Sequence, residues 1–225
     1  MGADFEPAQA EDPLFTKTLS KNTKKALALL SDFPFPEKTY LAGGTACALH
    51  LGHRISVDLD FFTPIKFDSK AVLHALKDHG EFKLEQQSWG TILGLFSEVK
   101  FSLFVYEYPL LFPSHSFQRI PIADLRDIAA MKIEAISSRG IKRDFMDLYF
   151  ICQSGIALKE ILDLYDRKYQ QHKSNTIHIL KSLIYFVDAD ATAVPKMLKT
   201  VDWKKVKRFF EDEVKNYLLS AARFS

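Results

Sequence analysis

The sequence predicts an α+β fold: a mixed sheet with flanking helices, followed by a helical bundle. Up to about residue 120, short runs of alternating polarity (57–62, 82–87, 91–96 and 100–106) interleave with helical runs, the mark of strands and helices in one layer system. Beyond Pro109, Pro113 and Pro121 only helical periodicity remains, over 123–138, 143–153, 157–170, 175–187 and 203–219. The chain is accordingly divided into an α/β domain, residues 1–120, and a C-terminal helical domain, residues 121–225.

The elements follow in order. Residues 1–12 carry Asp4, Glu6, Glu11 and Asp12, lack the apolar run of a signal peptide, and read as a frayed tail. Residues 15–31 read as one helix bearing Leu19, Ala26, Leu27, Leu29 and Leu30, ended by Pro34 and Pro36. Tyr40-Leu41-Ala42 is a short buried strand running into Gly43-Gly44. A helix is expected over 45–51, with Gly52 at its C-terminal cap. Residues 69–79 place Val72, Leu73 and Leu76 on one helical face, and the three closely spaced strands after them are expected to pair antiparallel.

Composition narrows the function classes. The 225 residues are 47% hydrophobic with 19 Phe, enough for an aromatic-rich core. Thirty Lys and Arg against 28 Asp and Glu leave a net charge of +2, so a global basic field for nucleic acid is absent while a local patch stays open. Cys47 and Cys152 form neither a CxxC pair nor a disulfide framework; both read as buried free thiols suited to a reducing, cytoplasmic setting. No run approaches the ~20 apolar residues of a membrane span, so no membrane partner is expected.

The chemistry concentrates in Gly43-Gly44-Thr45, a helix, and then Asp58-Leu59-Asp60. Carboxylates at i and i+2 of a strand share a face, while Leu59 and Phe61 take the buried one. Such a pair is close enough to share one hard cation, and Mg²⁺, with Mn²⁺ as a substitute, takes one or two carboxylates plus phosphate oxygens and water. A Gly-Gly turn before a helix leaves backbone N–H groups open to phosphate. Together they place a nucleoside triphosphate between a helix N-terminus and a metal, an arrangement suited to in-line nucleotidyl transfer. An Asp-x-Asp pair alone also marks a solvated strand edge; the order strand, Gly-Gly, helix, Asp-x-Asp strand favours function.

The run from Leu41 to Phe62 (LAGGTACALHLGHRISVDLDFF) resembles the signature of the AbiEii/AbiGii-type nucleotidyltransferase toxins, within the DNA-polymerase-β-like superfamily. The likeness continues through Asp124–Ile136 (DLRDIAAMKIEAI) with Arg139, and at Lys142–Tyr149 (KRDFMDLY). It implies a nucleotidyltransferase-like domain in which Gly43, Gly44 and Thr45 bind nucleotide and Asp58 and Asp60 hold the metal and act in catalysis. It also implies that Lys132 meets the incoming nucleotide and that Asp144 belongs to the active site. The same likeness implies a toxin of toxin–antitoxin or phage-defence type, transferring a nucleotide from an NTP to a hydroxyl acceptor on RNA, tRNA included, with a cognate antitoxin as partner.

Residue chemistry bears on these roles separately. Lys132 falls in the apolar stripe of its helix with Ile128 and Ile136, so it is either a phosphate-neutralising ammonium facing a cleft or a stem that snorkels outward. Asp144 and Asp147 share a helical face and need a cation, for which Lys132 or Arg143 is available; Asp144 also suits a helix N-terminus electrostatically. Arg54 is read as a phosphate contact, a brace for Asp58 or Asp60, or half of a basic surface pair with His53. Zinc at His53 is rejected because no Cys or acid lies at ligand spacing. Lys204, Lys205, Lys207 and Arg208 read as a solvated helix face or a weak RNA-binding strip.

Polymerase-like sites commonly take a third carboxylate from the strand beside Asp-x-Asp. On 100–106 that face carries Lys100, Ser102, Phe104 and Tyr106, so Ser102 stands where the acid is expected. Three replies remain open: Asp144 or Asp147 substitutes, one metal suffices, or the chain is a catalytically silent nucleotide- or partner-binding module. A metal-dependent phosphodiesterase using the same two aspartates is a further alternative.

Overall fold

The computed structural model describes residues 14–170 and 176–222. The tail expected over residues 1–12 and the first residue of the helix expected at 175–187 lie outside them. The N-terminal half contains helix α1 (Lys21–Leu30), strand β1 (Tyr40–Leu41), α2 (Gly43–Leu51), β2 (Leu59–Thr63), α3 (Ser69–His79), β3 (Phe82–Ser88), β4 (Thr91–Phe96) and β5 (Val99–Val105). A hairpin, β6 (His115–Phe117) and β7 (Ile120–Ile122), precedes α4 (Leu125–Ser138), α5 (Lys142–Gln153), α6 (Leu158–Lys168), α7 (Thr176–Leu183), α8 (Val187–Asp190) and α9 (Trp203–Ala222).

The strands form a seven-stranded mixed sheet in the order β3-β4-β5-β2-β1-β7-β6. β3, β4 and β5 are antiparallel neighbours, as their spacing predicts, whereas β5 pairs parallel with β2. Period-two burial then sorts β2 into Leu59, Phe61 and Thr63 on the core face and Asp60 and Phe62 on the other. The core face packs aromatically, Phe61 and Phe82 meeting Phe101 at ring-centroid distances of 5.5 and 5.9 Å. Helices α1 and α3 cover that side of the sheet, and α4 is the hub of the helical half, touching α2, α5, α6 and α7.

Three elements depart from expectation. The helix expected over 15–31 is split: Thr16–Thr18 form a 3₁₀ turn, Leu19 bridges to Ser56, and α1 starts afresh where the Ser20 side chain accepts from the Thr23 N–H. The sequence predicts no strand over 115–122, yet the β6–β7 hairpin forms there. Its two-residue turn places Gln118 and Arg119 at φ of 49° and 64°, so the Gly or Asn that signals such a turn is missing. The helix expected over 175–187 ends at Leu183, and α8 follows as a separate short turn.

A buried ion pair fastens the link between sheet and helices. The Asp127 carboxylate on α4 accepts from the backbone N–H groups of Leu111 and Phe112 and from Lys168 Nζ, 2.7 Å away on α6. Lys168 also donates to the Pro109 carbonyl at 2.7 Å. Both side chains are fully buried, so losing one partner strands the other's charge in a low-dielectric interior. Lys168→Ala is expected to lower unfolding free energy by about 3–5 kcal/mol, measured by denaturant titration.

Candidate active site

The open face of the sheet and the helices above it enclose a cavity of about 440 Å³. Asp58 and Asp60 line it from the sheet, Gly43 and Gly44 from the start of α2, and Lys132, Arg139 and Arg143 from α4, its C-cap and α5. Phe62, Phe104 and Tyr106 continue the sheet wall away from the acids. The cavity therefore has an acidic floor, a cationic side and an aromatic end.

The Gly-Gly turn is dictated by close approach. Gly43 has φ +65°, and a Cβ there would lie 2.8 Å from Asp60 Oδ2. A Cβ on Gly44 would lie 2.3 Å from Arg54 Nη2. These two glycines let the first turn of α2 sit directly against one carboxylate and one guanidinium. Ala42 caps α2 without a side-chain hydrogen bond, leaving the first N–H groups of the helix beside the cavity. Thr45 is buried and does not line the cavity; its hydroxyl contacts the Asp58 carbonyl oxygen and lies 3.0 Å from Ser56 Oγ. It thereby fastens α2 to the segment that delivers Asp58.

Asp60 stands opposite Ser102 in the β2–β5 register, the position where a third acid is expected. Burial pushes the Asp60 carboxyl up from its ordinary value; a hydrogen bond with Ser102 pulls the other way, and the neighbouring Asp58 pushes it further up. Asp58 is held from α5 by Arg143 Nη1 at 3.3 Å. Oxygen donors on a half-buried pair of acids are the donor set a hard divalent cation prefers, so Asp58 and Asp60 fit Mg²⁺.

Behind this floor lies a compact charge network. Lys132 Nζ donates to Asp144 Oδ1 at 2.9 Å and pairs with Asp147 Oδ2 at 2.6 Å, so it is buried by pairing and does not snorkel. An ammonium has three N–H donors, which leaves one for the cavity that Lys132 lines. Asp144 does not line the cavity; it also accepts from Arg139 Nε at 2.9 Å and Nη2 at 3.1 Å. Asp147 takes Arg54 Nε at 2.6 Å, Arg54 Nη2 at 2.9 Å and His53 Nε2 at 2.8 Å. Despite burial, Lys132 and Arg54 hold the Asp147 carboxyl well below the usual range, and Lys132 and Arg139 lower that of Asp144.

Several partner expectations are corrected here. Arg143 pairs with Asp58 and is not the cation of Asp144 or Asp147. Arg54 is 4% exposed and braces Asp147, neither Asp58 nor Asp60, so it is no surface pair with the equally buried His53. His53 does have Cys and acid neighbours in space: ligand atoms of Cys47, His53 and Asp147 lie within 4.8 Å of one another. That cluster does not suit a cation, because both Asp147 oxygens are already held by Arg54 and Lys132, and burial pushes the Cys47 thiol well up. Cys47 is buried as expected and Cys152 half-buried, both free. At the C-terminus, Lys207 is occupied by Asp190 at 3.2 Å beside Phe186 and Trp203.

The network predicts its own stability effects. Asp147→Ala leaves Arg54 and Lys132 short of a counter-charge and is expected to cost about 3–5 kcal/mol in chemical denaturation. Because the folded pKa values of Asp144 and Asp147 are lowered, their stabilisation is complete above the ordinary Asp pKa of about 3.9. It is lost as pH falls below that value through the folded ones, and melting curves across that range report the loss.

Residues 25–223 match the family described as nucleotidyl transferase AbiEii toxin, type IV TA system. An uncharacterized protein of Aquifex aeolicus (strain VF5) is 38% identical over 207 residues, covering 90% of this chain and 98% of that protein. Among solved structures, the nucleotidyltransferase toxin MenT4 of Mycobacterium tuberculosis H37Rv superposes with a TM-score of 0.57 at 18% identity, over 84% of this chain and 80% of its own. JHP933 of Helicobacter pylori superposes with a TM-score of 0.52 at 18% identity, over 90% and 95%. The fold is thus shared with nucleotidyltransferases, and a family match spanning nearly the whole chain places the protein in the AbiEii toxin family of nucleotidyltransferases.

Proposed function

We propose that the protein transfers a nucleotide from an NTP to a hydroxyl acceptor on RNA, tRNA included, with Asp58 and Asp60 as holders of Mg²⁺. One observation carries this reading: two carboxylates and a glycine-walled helix N-terminus share a cavity with Lys132, Arg139 and Arg143. The metal supplies charge neutralisation on the triphosphate and the reacting oxygens. The open N–H groups of α2 and the spare donor of Lys132 bind phosphate oxygens, and Phe62, Phe104 and Tyr106 offer the base an apolar wall. Asp144 acts as a positioning residue that fixes Lys132 and Arg139.

In the transfer, the acceptor oxygen bonds to the α-phosphorus, the bond to the bridging oxygen breaks, and pyrophosphate leaves with its electron pair. Ser102 offers no carboxylate to the departing hydroxyl proton, which passes to water in the open cavity. A cognate antitoxin is the partner the family implies, in keeping with a cytoplasmic toxin. Ser102 also motivates a second reading, a nucleotide-binding module without turnover.

Incubation with labelled NTPs, Mg²⁺ and total tRNA is expected to label RNA. Asp58→Ala should lower that labelling by about two orders of magnitude, and Gly43→Ala should do so by filling the space beside Asp60. Equal labelling by wild type and Asp58→Ala would sink the transfer reading, and NTP-dependent thermal stabilisation without product would establish the silent module. The metal has an independent test. A carboxyl whose pKa is raised on folding costs stability once pH exceeds its ordinary value, so metal-free Asp60→Asn should melt above metal-free wild type at neutral pH. Mg²⁺ should raise the melting temperature of wild type alone.

A further inference from the structure

A second depression, of about 550 Å³, lies between the C-terminal end of α4 and α7, and it shares Ser138 and Arg139 with the candidate active-site cavity. Among the described residues its walls carry Arg139, His178 and Lys181 against one acid, Asp188, with the hydroxyls of Ser137 and Ser182 between them. Tyr185, 54% exposed, and Ile184, 43% exposed, supply an apolar edge at the same place. Nothing in the charge network behind the active site uses Lys181 or Tyr185.

We infer that this trough is the acceptor site, binding the single-stranded end of an RNA whose terminal hydroxyl enters the cavity past Ser138 and Arg139. The inference rests on the transfer reading and adds the surface that selects the acceptor. An acceptor hydroxyl brought to Asp58 and Asp60 trails phosphodiesters, which need a continuous cationic path out of the cavity, and the shared Arg139 begins that path. Unpaired bases expose π-faces, and an exposed tyrosine beside a lysine is a sequence-tolerant platform for stacking one of them. A duplex offers no such face, so the trough selects single strands. The near-neutral net charge of the chain fits local, not global, attraction of the polymer.

Lys181→Glu and Tyr185→Ala change exposed side chains and leave Asp58, Asp60, Lys132 and Arg139 in place. Binding of a fluorescent single-stranded RNA is measured by anisotropy without NTP, and NTP-dependent melting shifts are measured separately. Each variant is expected to weaken RNA binding by about tenfold, to raise the KM for RNA, and to leave kcat and the NTP-induced shift unchanged. Undiminished RNA binding by both variants overturns the inference, as does wild type that binds no single-stranded RNA. If the variants lose affinity for a polyglutamate peptide and keep it for RNA, the trough is a docking groove for an acidic protein segment and the inference falls. Absence of labelled product with trough-dependent RNA binding intact would sink the transfer reading, and the acceptor role with it, while the trough stands as a binding surface for single-stranded RNA.

Discussion

The buried carboxylate of Asp147 is the constraint on which the cavity depends. It is fully inaccessible yet ionised, and it stays so by gathering Arg54, His53 and Lys132 from the loop before β2 and from α4. A lone buried charge would be neutralised or expelled. Here Arg54, Lys132 and Arg139 face the carboxylates of Asp144 and Asp147, so each carboxylate is met by cations and the geometry is fixed by directional bonds. Because the members come from α2's trailing loop, α4 and α5, the same bonds that satisfy the charges hold the sheet-borne acids at a set distance from the helix-borne cations.

Arg54 shows how the structural and chemical roles merge. Its guanidinium reaches Asp147 on one side and presses on the Gly44 position on the other. Gly44 therefore answers to Arg54, just as Gly43 answers to Asp60. The glycines were readable in the sequence as a place of close approach. What approaches them from within the protein was not, because Arg54 and Asp147 are separated by 93 positions and no local pattern links them.

Legibility followed the range of the interactions. Period-two and helical patterns locate β2 to β5, α3, α4 and α5 to within a residue or two, and the alternation on 100–106 puts Ser102 on the face beside Asp60. Lys132 was identifiable as a charge out of place on an apolar stripe. The β6–β7 hairpin was hidden because its left-handed turn positions hold Gln118 and Arg119. The partners of Arg54, Arg143 and His53 were misassigned because pairing among buried charges is decided by tertiary proximity, and sequence neighbours are a poor guide to it. The trough at α4 and α7 was equally invisible, since Arg139 and Lys181 meet only after the helices pack.

Ser102 sets the charge of the cavity floor. A third carboxylate opposite Asp60 would add negative charge to a floor where burial and Asp58 already raise the Asp60 carboxyl, and the serine instead relieves it through a hydrogen bond. Neither Asp144 nor Asp147 lines the cavity, and both are engaged by the cations that hold them. The cavity is thus lined by Lys132, Arg139 and Arg143, with Ser102 and no third acid opposite Asp60 in the strand register. Under the proposed transfer the acceptor is delivered with its hydroxyl already placed, which gives the surface leading into the cavity as large a part in choosing the reaction as the two aspartates proposed to hold the metal.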